Sequence, residues 1–226
     1  MAEDYIVRGM SRLDIERKAI DFLFQYDRQS LEVDQDPVDV EKLLDCSMYL
    51  ESGYMMELVP DQNMYGNVEA MTSFSDRVIE IRESDFNALQ SPGRARFTVC
   101  HEIGHALLHT DQLENITIEE SRSLKLCRQK EDIPSYRSAD WQAEAFASAL
   151  LMPAPTAITI FKEMSAEGWA DVMIVQAFIE RFKVSWKAAE VRLKIIKQFL
   201  SNGRGNSLIS YFYNKKDSVT PITESL

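Results

Sequence analysis

Residues 97–110, FTVCHEIGHALLHT, hold all three histidines of this 226-residue chain, at 101, 105 and 109. Steps of four set successive imidazoles about one turn apart on one side of an α-helix, and the apolar flanks FTVC and ALL bury that helix. His101, Glu102 and His105 make the pattern H-E-x-x-H. Zinc takes neutral imidazole nitrogens at about 2.0–2.1 Å in a tetrahedral set, and both rings can reach one ion from this spacing. Glu102, beside the first ligand, suits the general base that takes a proton from a metal-acidified water and later passes it to a leaving amine. A buried glutamate between two histidines is costly without a compensating cation. The pattern therefore reads as a metal site. His109 does not fit the metzincin pattern, whose third histidine lies two residues further on, after a glycine turn. It has also drifted roughly 80° from His101 around an ideal helix. A structural or pocket-lining role is expected for it.

A catalytic zinc needs a third protein ligand and one open position. No histidine remains, so a carboxylate is expected. The apolar helix SADWQAEAFASALLMP, residues 138–153, offers Asp140 and Glu144, four apart on one face. In such a pair one carboxylate binds the metal, while the other accepts a hydrogen bond from the far ring nitrogen of a ligating histidine and sets its tautomer. Tyr136 and Arg137, just before this helix, are candidate donors to the oxyanion of a peptide-cleaving transition state.

Elsewhere the pattern is mostly helical. SRLDIERKAIDFLFQYDRQ, from Ser11 as cap, has helical apolar spacing, and PVDVEKLLD reads as a short helix with Asp36 as cap and Pro37 at its first position. GYMMELV, NVEAMTSF and RVIEIRE are strand-like. They predict a three-stranded antiparallel sheet over 47–83, its last two strands joined by the two-residue turn Ser75-Asp76. Residues 111–137 read as a long, partly ordered connection. Three more helices are expected within 155–200, and a polar, loosely held tail from 201 to 226.

The formal charge of −11 argues against direct DNA or RNA binding and suits a basic protein partner. No apolar run approaches membrane-spanning length, so no membrane association is expected, and the N-terminal residues lack the apolar core of a secretory signal. Three cysteines, at 46, 100 and 127, without metal-type spacing, read as free thiols of a reducing, cytoplasmic setting. Cys100, next to His101, reads as an inert apolar helix residue rather than a nucleophile.

RFTVCHEIGHALLH followed by FASALLMP resembles the ImmA/IrrE family of metallopeptidases. The likeness extends to DPVDVEKLLD upstream and FKVSWKAAEVRL downstream, roughly residues 11 to 196. It implies a zincin-like α+β fold: one mostly helical metallopeptidase domain over 1–200, its small sheet packed against a catalytic helix at 94–110, and a third-ligand helix at 138–152. The family's Glu-x-x-Ala-Asn-x-Phe-Ala, anchored on Phe-Ala and Leu-Leu-Met-Pro, sets its ligand glutamate on Asp140 and its asparagine on Glu144, so this chain departs from the family at both positions. Asp140 is the expected third ligand beside His101 and His105, with Glu144 as its support or its alternative. The resemblance also implies a bacterial or phage-encoded zinc endopeptidase that cleaves or inactivates a helix-turn-helix, DNA-binding repressor. The alternative is a non-catalytic module that binds a repressor or antitoxin around a structural metal.

Overall fold

A computed structural model describes residues 5–64, 66–90, 93–114 and 134–218. It is an α+β structure, mostly helical, with one small sheet. Helix α1 (Arg12–Tyr26) starts at Ser11, whose hydroxyl accepts from the Asp14 N–H. The next helical stretch, α2 (residues 40–52), runs through a π-turn at Leu43–Ser47. Its cap is Asp39, accepting from the Lys42 N–H, rather than the expected Asp36. Pro37 and Val38 stay outside the helix, because Asp39 already satisfies one of the free N–H groups of the first turn.

The sheet differs from the expected antiparallel one. Strands β1 (Met55–Val59), β2 (Ala70–Ser73) and β3 (Val78–Arg82) lie in the order β1-β3-β2. β2 and β3 form the expected antiparallel pair, but β1 runs parallel to β3. The connection over 60–69 is long enough to carry the chain past β3, so β1 pairs with the third strand instead of the second. The β2–β3 turn spans 74–77, not two residues, and closes with Arg77 at φ +53°. Ala70 and Thr72 pair with Ile81 and Ile79, both buried, so Thr72 shares the face that packs on the histidine helix.

After the short α3 (Glu83–Asn87) comes α4 (Arg94–Leu113), the histidine helix, three residues longer than expected. Residues 115–133, most of the expected connection, and Cys127 with them, lie outside the described residues. Helix α5 (Ala139–Leu151) begins at Ser138, which accepts from the Trp141 N–H, and packs along α4. The two helices touch where both are smallest. A Cβ placed on Gly104 would lie 3.1 Å from both Cα and the carbonyl oxygen of Ala143.

Helices α6 (Ala154–Ala166), α7 (Asp171–Phe182) and α8 (Trp186–Ser201) follow as expected. The tail does not. Residues Arg204–Ser218 form a further helix, α9, with Leu208 and Phe212 buried. The Tyr211 hydroxyl and the Lys215 ammonium both donate to Asp21 on α1. Two apolar residues four apart give this polar segment a face to bury, and its Ser, Gly and Asn content obscured that face. Among the described residues, no single helix is long and apolar enough to cross a membrane.

Inside the helical layer lies a fully buried ion pair. Arg192 on α8 donates through two nitrogens to the Glu16 carboxylate on α1, and its Nε donates to the Met152 carbonyl at the end of α5 at 2.9 Å. One guanidinium thereby ties α1, α5 and α8 together.

Removing one partner of a buried pair strands the other's charge, which costs about 3–5 kcal/mol, whereas replacing both by apolar groups is often nearly neutral. Arg192→Met should therefore lower unfolding free energy in urea by about 3–5 kcal/mol, and Glu16→Leu added to it should restore most of the loss. A double variant no more stable than the single one would contradict this account. At the helix crossing, Gly104→Ala gains about 1 kcal/mol of helix propensity but forces apart two backbones, at about 1–3 kcal/mol. A net loss in thermal unfolding is expected, and a variant more stable than the parent would contradict the close crossing.

Candidate metal centre

The Gly104–Ala143 contact brings the middle of α4 against the first turns of α5, and the polar side chains flanking it converge. Ligand atoms of His101, His105 and Asp140 all lie within 4.8 Å of one another. His105 Nε2 is 3.0 Å from His101 Nε2 and 3.4 Å from a carboxylate oxygen of Asp140. Asp140 reaches the histidines although it is a short side chain, because the glycine and alanine let the helices approach.

The electrostatics suit a cation. Burial, followed by the neighbouring charge of His105, lowers His101 to about 4, so its ring is neutral at physiological pH. Burial alone would raise Asp140. The facing imidazoles, that of His105 first and then those of His101 and His109, outweigh it and hold the carboxyl below its ordinary value. Two ring nitrogens and an ionised carboxylate thus turn lone pairs toward one point. Such a set repels itself unless a proton or a metal ion sits among its members. By donor type, number and spacing it fits a divalent metal with one position left open.

Glu102 stands beside this cluster. The Thr72 hydroxyl on β2 lies 2.7 Å from its Oε2 and donates to it, also lying 3.2 Å from the Glu102 backbone carbonyl. Burial raises the Glu102 pKa, partly offset by His105 and by the Thr72 bonds. The result is a carboxylate held in one orientation and made more basic than glutamate in water. Thr72 was not among the residues singled out from sequence. Its only signal there is its place in an alternating strand.

His109 is fully buried. Its Nδ1 is 3.1 Å from Nδ1 of His105, and its Nε2 is 3.2 Å from Oε1 of Gln142. The far ring nitrogen of His105 therefore meets His109, not the second carboxylate of α5 that sequence reasoning assigned to that task. Glu144 points elsewhere. It is exposed, one turn beyond Asp140, and lines a neighbouring cleft. Gln142 was also missed. The signal was present, since a glutamine on the buried stripe 139-142-143-146 has to find a hydrogen-bond partner.

Tyr136 and Arg137 lie on the single helical turn before α5, and both are exposed. The Tyr136 ring lies against Gly9. Its backbone carbonyl, rather than its hydroxyl, contributes to the surroundings of the site, accepting from Gln142 at 2.8 Å. Cys100 is fully buried and its thiol is pushed up to about 12 by that burial, the state of an inert packing residue.

Beside the cluster opens a cleft of about 450 Å³. Its walls include Phe97, one turn before His101, and Trp141, next to Asp140, with Ala188, Val191 and Ile195 of α8 opposite. Arg12 lies over the Trp141 ring at 4.9 Å. On the other side of the site, β2 is an edge strand of the sheet.

No curated protein matches the chain. Among solved structures, a Mycobacterium tuberculosis transcriptional regulator aligns with 14% sequence identity and a TM-score of 0.43, over 77% of this chain and 50% of the other, so the chain spans about half the length of that protein. Residues 86–194, which contain both helices of the site, match the model of the IrrE N-terminal-like domain, Peptidase_M78. On that match, and with a metal-type cluster of two histidines and an aspartate inside it, residues 86–194 of the chain belong to the ImmA/IrrE family of metallopeptidases.

Proposed function

We propose that the protein is a zinc-dependent endopeptidase in which His101, His105 and Asp140 hold the metal and Glu102 is the general base. The observation that carries this reading is the carboxylate of Glu102, fixed by Thr72 beside three converging metal-type donors. A structural metal has no use for a base. Two imidazoles and a carboxylate suit zinc better than the harder cations. When bound, such an ion polarises the peptide carbonyl and makes water a competent nucleophile near neutral pH.

The chain's own residues do the rest. Glu102 accepts the proton of the attacking water and hands it to the departing amine nitrogen, and its raised basicity favours the first transfer. Thr72 keeps the accepting oxygen in place. The free edge of β2 can take an extended peptide by backbone hydrogen bonding, and the cleft lined by Phe97 and Trp141 accepts a large side chain next to the scissile bond. Asp140 serves as third ligand. Glu144, on the cleft wall, contacts substrate rather than metal. Tyr136 or Arg137 would supply the donor to the oxyanion.

The substrate class follows from the family resemblance in the sequence and from charge. A protein of formal charge −11 attracts a basic partner, and a helix-turn-helix repressor is basic on its DNA-reading face. The protein would act in the cytoplasm of a bacterium, or for a phage or mobile element, by cutting such a repressor. Incubation with candidate repressors, followed by mass analysis of fragments, tests this. Glu102→Gln should reduce cleavage by about 10²–10⁴-fold while zinc stays bound. Undiminished cleavage would remove the mechanism, and repressor inactivation without any fragment would point to a binding module instead.

The raised Glu102 value also gives a pH dependence. A carboxyl whose pKa lies above the ordinary glutamate value must lose its proton before it can act as base. The acid limb of kcat/KM should therefore fall off at a pH above 4.5, with metal occupancy checked across the range. In Thr72→Val one of the bonds that keep Glu102 ionised is gone, and the limb should move further up. A limb unmoved by that substitution would separate Glu102 from the titration.

A further inference from the structure

From the hydrogen bonds that surround the third histidine, we infer that His109 and Gln142 form a tautomer-setting relay, which anchors the proton of His105 on Nδ1 and thereby keeps its Nε2 bare for the metal. The inference rests on the reading of His101, His105 and Asp140 as metal ligands, but its direct test does not need activity.

The polarity of every link is dictated from the far end. The Gln142 amide nitrogen lies 2.9 Å from the Arg8 carbonyl and 2.8 Å from the Tyr136 carbonyl. Carbonyls only accept, so the NH₂ end of Gln142 must face them, and both its hydrogens are used. Its Oε1 is left toward His109 Nε2 at 3.2 Å. An amide oxygen also only accepts, so His109 carries its proton on Nε2. A neutral imidazole has one proton, so His109 Nδ1 presents a lone pair. The atom 3.1 Å from that lone pair is His105 Nδ1, which must then be the donor. With its proton on Nδ1, His105 has an unprotonated Nε2, the atom that faces His101 and Asp140.

The opposite polarity fails at the start. Turning the Gln142 amide over would set its oxygen against two carbonyl oxygens and its NH₂ against His109, losing both bonds that the NH₂ makes to those carbonyls and putting acceptor against acceptor in their place. Burial strengthens the constraint, because Gln142 and His109 are both fully inaccessible and water cannot repair a wrong link. The two carbonyls are themselves held. Residues 5–10 run along 136–139, with Val7 N–H bonded to the Arg137 carbonyl, Met10 N–H to the Tyr136 carbonyl and Ala139 N–H to the Tyr5 carbonyl. The N-terminal segment is in this way part of the support of the metal centre, some four side-chain and backbone links from the ion. His109 and Gln142 are positioning residues. They touch neither metal nor substrate, and a carboxylate in this role is replaced here by a neutral pair.

The test reads tautomers and metal affinity. In long-range nitrogen–proton NMR spectra of the full-length metal-free chain, His105 should appear as the Nδ1–H tautomer and His109 as the Nε2–H tautomer, and both should keep these forms when zinc is added. Zinc affinity, measured by competition with a chromophoric chelator, should fall about 10–100-fold in His109→Leu, which fills space but can neither accept nor donate. His109→Gln, whose amide offers an acceptor oxygen and a donor nitrogen, should recover most of that loss. A packing role alone predicts that leucine serves at least as well as glutamine. Equal affinity of the two variants, or a metal-free His105 protonated on Nε2, would overturn the relay. If either variant failed to fold, the spectra of the parent chain would still decide. Zinc binding with the expected tautomers but no peptidase activity would sink the proposed function and leave the relay standing.

Discussion

The close contact of two helices at Gly104 and Ala143 is the constraint on which the rest of the molecule depends. Larger residues at either place would separate α4 from α5, and Asp140 is too short to follow. The contact is permissive rather than attractive. Its cohesion comes from the apolar residues on both sides, Val99, Cys100 and Ile103 on one helix and Phe146, Ala147 and Leu150 on the other, all buried in one continuous core. Burying those residues brings the imidazoles to the carboxylate. The metal-type cluster is therefore a product of core packing, and an ion bound there would relieve the repulsion that packing imposes.

Several buried polar groups around this contact are matched, although Arg96 keeps one unpartnered nitrogen, Nε. Glu16 is answered by Arg192, which also fixes the end of α5 through the Met152 carbonyl. Arg96, on α4, donates to the Leu89 and Val38 carbonyls and pins the chain that leads into the histidine helix. Tyr54 and Thr110 share a hydrogen bond between their hydroxyls. Each arrangement links an element that bears a site residue to one that does not. Buried groups of this kind are costly when half satisfied and confer specificity when complete. The sheet plays a comparable part. Its central strand lies in the core through Ile79 and Ile81, and its edge strand delivers one hydroxyl, that of Thr72, to Glu102.

What could be read from the sequence depended on how local the determining physics is. The histidine helix and the amphipathic helices followed from spacing, and the cap Ser11 from capping chemistry. Asp140 could be narrowed down because few carboxylates stand on an apolar helix. The parallel pairing of β1 could not be seen, since strand pattern says nothing of which neighbour a strand chooses once a connection is long. The helix at 204–218 was hidden because a face of only Leu208 and Phe212 is weak against polar neighbours until α1 and α6 are there to receive it. The task of His109 was missed for a different reason. Drift around the helix was correctly read as excluding it from the His101 direction, but a residue that turns away from the ion can still meet the back of a ligand, and the glutamine that completes the link comes from another helix.

The central claim is that one divalent ion is held by His101, His105 and Asp140 with a corner left open. X-ray absorption at the zinc edge of the stoichiometrically loaded protein measures it most directly. The account predicts one zinc per chain with a four-coordinate shell of nitrogen and oxygen at about 2.0–2.1 Å, the multiple-scattering signature of two imidazoles, and the loss of one oxygen neighbour or of stoichiometric binding in Asp140→Ala. A sulfur neighbour, a single imidazole, or a shell unchanged by removal of Asp140 would contradict it.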